Sequence, residues 1–107
     1  MFRLNQDADI NGSHRQSEVY ASPAKLIERF GRPCESDGYK VSGEYIFDNE
    51  YGEVFTVYDW KCTTLYDSDY GVTPADFWAR LIPTQFSIGG KTDSSSFVRW
   101  LSSEVSE

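Results

Sequence analysis

One histidine and two cysteines in 107 residues leave little for metal or thiol chemistry to use. Tetrahedral zinc needs four ligands at short spacings, whereas His14, Cys34 and Cys62 stand far apart in the chain. The sequence therefore predicts no metal site and no cofactor. With no export signal in view, the two cysteines read as reduced thiols, and a Cys34–Cys62 disulfide is the alternative. Long apolar runs are also missing. No stretch approaches the about 20 residues that a membrane-spanning helix needs, and no basic-then-apolar start resembles a signal peptide. The expectation is a cytoplasmic protein that contacts no membrane.

Positive charge is scarce as well. Ten Lys and Arg face seventeen Asp and Glu, for a formal net charge of −7. Sheathing a nucleic-acid backbone needs clustered cations that displace counterions, so direct backbone binding is disfavoured. Seven acids, Glu35, Asp37, Glu44, Asp48, Glu50, Glu53 and Asp59, fall between positions 35 and 59, with Lys40 as the only base among them. Such a face either mimics nucleic acid toward a basic partner or is merely solvated.

What the chain does have is aromatic rings, 16% of its residues. That suffices for a ring-based core in one domain over residues 1–107. After a polar opening with an Asn11-Gly12 turn, Val19 and Tyr20 suggest a short strand. "SPAKLIERFGRP" then carries full helix punctuation over 22–30: Ser22 as N-cap, Pro23 at the first helical position, Gly31 to close and Pro33 to forbid continuation. "YKVSGEYIF" and "EVFTVYDWK" alternate with period two around "DNEYG" and predict a β-hairpin over 39–61. In its second strand Phe55 and Val57 face one way, Val54, Tyr58 and Trp60 the other. Thr73-Pro74 opens a second helix over 73–81, "QFSIGG" is a last strand, and "TDSSSFVRWLSSEV" is a helix capped by Thr92 or Asp93 with Phe97, Trp100 and Leu101 buried. The fold class is α+β: a small, mostly antiparallel sheet with a central hairpin and two to three short helices. Apolar groups on both sheet faces predict a homo-oligomer, with the helices at 22–30 and 73–81 left to cover Val54, Tyr58 and Trp60.

Catalytic motifs are absent. There is no G-x-S-x-G and no P-loop, and His14 lacks an evident acid partner, so no catalytic residue is assigned and the chain reads as non-enzymatic. Three stretches are candidates for binding. Tyr58, Trp60 and Lys61 combine flat rings with an ammonium; the plain alternative is a core tryptophan beside a solvated lysine. In "FSIGGK", Gly89 and Gly90 between a strand and a helix cap would expose N–H groups to a phosphate, with Lys91 adding charge, though Gly-Gly is also ordinary turn chemistry. In "INGSHRQSE", Asn11, Ser13, Arg15 and Gln16 can reach a polar ligand or form a surface turn.

Taken in order, "ING" with a downstream Gln, "LIERFGRP", "DGYKVSGEYIF", "GEVFTVYDWK" and "FSIGG" resemble a family of small proteins found across tailed phages. The family's stretches run as an Asn-Gly turn, a helix ending Phe-Gly-x-Pro, a Glu-aromatic strand, Tyr-Asp-Trp-Lys and Trp-x-Ile-Gly-Gly. Phe86 stands at the family's tryptophan, and the segment 67–83 is longer than usual, which either brings Trp78 as a substitute aromatic or alters specificity. The resemblance implies a phage protein acting in the host cytoplasm, where small non-enzymatic phage proteins commonly neutralise a defence system. The leading expectation is sequestration of a small anionic, nucleotide-like immune signal. Trp60 or Tyr58 stacks the base, and the Gly89–Gly90 amides with Lys61 or Lys91 hold phosphates. The alternative is an acidic nucleic-acid mimic that binds a basic host defence protein such as a CRISPR or restriction effector.

Overall fold

A computed structural model describes residues 1–34, 41, 43–59 and 72–105. Eight elements follow in order: β1 (Arg3–Leu4), β2 (His14–Ala21), α1 (Pro23–Phe30), β3 (Glu44–Asp48), β4 (Val54–Tyr58), α2 (Pro74–Trp78), β5 (Thr84–Gly90) and α3 (Ser95–Val105). The strands make one antiparallel sheet in the order β1-β3-β4-β5-β2. With its three helices this is the small α+β fold expected from the sequence.

Local chemistry explains the ends of the elements. Ser22 Oγ accepts from Lys25 N–H at 3.2 Å, Pro23 fills the first helical position, and Gly31, at φ 84°, closes α1 through its N–H on Ile27 O. Only glycine takes that left-handed backbone without strain. Thr73 caps α2 by accepting from Asp76 N–H. This helix ends at Trp78, three residues short of its expected end: Arg80 N–H bonds Phe77 O in a tighter turn, and the Arg80 carbonyl is met by the start of α1. Ala24 N–H donates to it at 3.0 Å and Ser22 Oγ–H at 3.2 Å, which turns the chain onto the start of α1. At α3, neither Thr92 nor Asp93 is the cap residue. The Ser94 carbonyl accepts the first helical bond, from Val98, while Asp93 Oδ1 holds the Ser95 N–H and hydroxyl. The hairpin pairs Tyr45 with Val57 and Phe47 with Phe55. At its turn, Asn49 Oδ1 accepts from the Tyr51 and Glu53 N–H groups. The outer parts of the expected hairpin, at 39–40 and 60–61, lie outside the described residues.

Two strands exceed what the sequence pattern suggests. β2 begins at His14, five residues before Val19, because its polar half is held by pairing along β5, from His14 opposite Gly90 to Ala21 opposite Thr84. β1 arises in the polar opening through Arg3 opposite Asp48 and Leu4 opposite Phe47.

All three helices cover the same sheet face. Tyr45, Phe47, Phe55, Val57, Phe86 and Ile88 are buried there with Leu26 of α1, Phe77 and Trp78 of α2, and Phe97 and Leu101 of α3. The Phe55 and Phe97 rings stack at 5.0 Å and 7°; such ring pairs add to the burial of their area. This corrects the expectation that α1 and α2 cover the face bearing Val54 and Tyr58. That face is crossed instead by the chain running from β1, at one edge of the sheet, to β2, at the other. Trp78 likewise belongs to the core: it packs on Phe86 at 5.6 Å and on Tyr45 at 6.1 Å.

Candidate functional site

The crossing segment creates the site. On the sheet face away from the helices, period-two alternation places Thr56 and Tyr58 of β4 together, and register sets Glu44 of β3 opposite Tyr58. Gly89 of β5 follows on the next strand, opposite Thr56. Residues 10–14 close over these positions, so that Ile10, Ser13, His14, Glu44, Thr56, Tyr58 and Gly89 line one cleft of about 160 Å³.

Gly89 gives the cleft its shape. A Cβ there would stand 2.5 Å from Thr56 Oγ1 and 3.6 Å from Tyr58 Cε1. At Gly90, a Cβ would stand 2.9 Å from Phe55 Cδ1. Both glycines are buried within β5, between β4 and β2, rather than in a turn after it. The close approach they permit is to side chains of the protein.

Polar groups around the cleft are held in place. Burial raises the Tyr58 phenol above its usual pKa; the nearby Arg15 guanidinium opposes this and the Glu44 carboxylate adds to it. Tyr58 is thus a neutral hydroxyl at physiological pH. Arg15 contacts Ser87 Oγ at 3.4 Å and pairs with Glu18 at 2.8 Å. Gln16 is the extra residue of a β-bulge between Arg15 and Ser17, a device that re-aims side chains beside sites. Its side-chain Nε2 lies 3.0 Å from the Gly90 carbonyl and 3.0 Å from His14 Nε2. Ser13 Oγ is buried with no hydrogen-bond partner among the described residues.

Residues from all three stretches singled out in the sequence meet here. Ser13, Tyr58 and Gly89 line the cleft, Gln16 bonds Gly90 beside it, and Gly12 lies against the Lys91 side chain, where a Cβ would meet Lys91 Cε at 3.3 Å. Asn11 sits in the exposed turn, its N–H donated to Asp9 Oδ1. Trp60 and Lys61 lie outside the described residues, as does Cys62, while Cys34 is a free thiol. His14, Glu44 and Thr56 were not visible as site residues in the sequence. Only the strand register brings them to Tyr58, although Thr56-x-Tyr58 shares one face by alternation alone.

The acidic hairpin is largely committed internally. Asp48 accepts from Arg3 at 2.8 Å and Asn5 at 2.9 Å, and these bonds hold its carboxyl below the usual range. Asp59 is fully buried and accepts from Gly43 N–H at 2.9 Å. Glu50 pairs with the N-terminal amine and Glu53 accepts from Asn49.

Among the described residues no group of His, Cys, Asp and Glu could hold a metal ion, and no helix is long and apolar enough to cross a membrane. No protein family matches the chain by its sequence profile, and no curated protein matches it in sequence.

Proposed function

We propose that the protein is a non-enzymatic binding protein that captures a small nucleotide-like anion in the cleft under the N-terminal crossing. In the phage setting implied by the sequence resemblance, it acts in the host cytoplasm as a counter-defence sponge for an immune signal. The observation that carries this reading is that Ser13, Tyr58 and Gly89, one from each stretch singled out in the sequence, line one cleft. At about 160 Å³ the cleft is smaller than the about 300 Å³ at which drug-sized pockets begin. It suits one heterocycle, with the ring against Tyr58 and the phosphates outside near Arg15 and Lys91.

The nucleic-acid-mimic reading draws on fewer groups. Asp48 and Asp59 serve internal bonds, and Glu50 and Glu53 have partners within the chain.

Calorimetric titration with 5′-GMP, 5′-AMP and a cyclic dinucleotide tests capture. Binding to at least one is expected, weakened about tenfold to hundredfold in Tyr58→Ala by loss of base stacking. No heat from any of the three at millimolar concentration would refute the reading.

A further inference from the structure

Resting on the capture reading, we propose that Arg15 holds the ligand's phosphate and so selects nucleotides over nucleosides, with Glu18 the positioning residue that orients its guanidinium. The inference starts from two side chains that lie over β5. Arg15 pairs with Gly89, and Tyr58 pairs with Ser87. Pairing and period-two alternation put all four on the sheet face that carries the cleft. The Tyr58 ring leans over Gly89, where a Cβ would stand 3.6 Å from its Cε1. Arg15 leans the opposite way along β5, its Nε–H donating to Ser87 Oγ at 3.4 Å. Ring and guanidinium are therefore neighbours above one strand, and the cation works against the burial that raises the Tyr58 pKa.

An arginine carries five N–H donors in a fixed plane. Here Nε–H and Nη2–H, which share one edge of that plane, are taken by Ser87 Oγ and by Glu18 Oε2 at 2.8 Å. Glu18 Oε2 also accepts from Gln85 Nε2, so the carboxylate is itself held. The other edge, formed by Nη1 with Nη2, has no partner among the described residues, and the side chain is half exposed. Two parallel N–H groups in a fixed orientation fit two oxygens of one phosphate. A nucleotide carries its phosphate one sugar away from its base, which suits a fork standing beside the Tyr58 ring. Lys91 lies with its stem against Gly12 and offers a point charge without such a fork.

Calorimetry with adenosine against 5′-AMP, and guanosine against 5′-GMP, isolates the phosphate. The nucleotide should bind about tenfold to hundredfold more tightly than its nucleoside, as hydrogen bonds to a charged group do. Arg15→Ala should erase that increment and leave nucleoside affinity unchanged, which also shows that the variant is folded. Arg15→Lys, which keeps the charge and loses the fork, should lose most of it, and serves alone if Arg15→Ala does not fold. Lys91→Ala should leave it intact. Glu18→Ala frees the fork to swing and should cut the increment; Glu18→Gln keeps an acceptor for Nη2 and should restore it. An increment that survives in both Arg15 variants, or that disappears in Lys91→Ala, overturns the Arg15 assignment, while continued nucleoside binding leaves the capture reading standing. Equal loss of nucleoside and nucleotide in Glu18→Ala overturns the positioning role and makes Glu18 structural. No binding of any of the four compounds to the wild type overturns the capture reading and the phosphate assignment with it.

Discussion

The Tyr58 ring approaches the bare backbone of Gly89 across the β4–β5 pair, closely enough that a Cβ on Gly89 would stand 3.6 Å from its Cε1. Thr56 Oγ1, on the same strand as Tyr58, leaves only 2.5 Å for that atom. The floor of the cleft is thus built by withholding one side chain from a central strand, where the Thr56 hydroxyl on the neighbouring strand takes up the space and the Tyr58 ring lies in contact beside it.

Gly89→Ala should therefore destabilise the protein by about 1–3 kcal/mol through overpacking. At a position free of contacts the same change would stabilise by about 0.4–1 kcal/mol through the unfolded chain. Urea denaturation reads the sign directly. A midpoint at or above that of the wild type would mean that Thr56 and Tyr58 move aside without cost, and that Gly89 does not shape the cleft.

Acid should weaken the anchoring of β1. Asp48 has its pKa lowered by the Arg3 and Asn5 hydrogen bonds. A carboxyl with a depressed folded pKa stabilises fully above the unfolded value, about 3.9. Its contribution is lost as pH falls through the folded value, since the unfolded chain then binds the proton first. Asp48→Asn should lower Tm modestly at pH 7, the Arg3 side chain being exposed and the pair screened by salt. The gap from wild type should narrow as pH falls below the unfolded value and through the depressed folded one. A gap that stays constant through that acid range would assign the effect to packing rather than charge.

Association should run through the end of the β2–β5 pair. Tyr20, Leu81 and Ile82 are 64%, 71% and 65% exposed, and Tyr20 and Leu81 border one hollow with Pro83. Clustered exposed apolar groups of this kind favour burial between copies. Light scattering at micromolar concentration should give a mass above that of one chain, falling to one chain in the double variant Leu81→Asp, Ile82→Asp. A wild-type monomer would sink the homo-oligomer expectation and leave the cleft to a single chain.

The sequence was most legible where short-range chemistry decides. Ser22, Pro23 and Gly31 delimit α1 within a dozen residues, and each acts as its type predicts. The pattern failed where a distant partner decides. "HRQSE" carries no apolar alternation, so the first half of β2 is a strand only because β5, some 70 residues later, supplies its bonds. The turn after α2 was equally hidden, since there the Arg80 carbonyl is held by Ala24 and Ser22 from the start of α1. For the site, composition pointed to Ser13, Gln16, Tyr58 and the glycines, whereas His14, Glu44 and Thr56 required the register. The glycine pair was read as a phosphate turn because the sequence does not show that Thr56 and Phe55 of the neighbouring strand fill the space it leaves.

The placement of β5 between β4 and β2 bears on how the protein comes into being. During synthesis β2 emerges early and has no strand to pair with until Thr84–Gly90 has been made; β3 and β4 can meanwhile form their hairpin. Joining the two halves means closing a loop of some 70 residues, the kind of distant pairing that slows folding. The cleft draws its walls from residues 10–14, from 44, 56 and 58, and from 89. A nascent or truncated chain that stops short of Gly89 therefore lacks the strand that unites them, and the cleft can form only once that strand has left the ribosome.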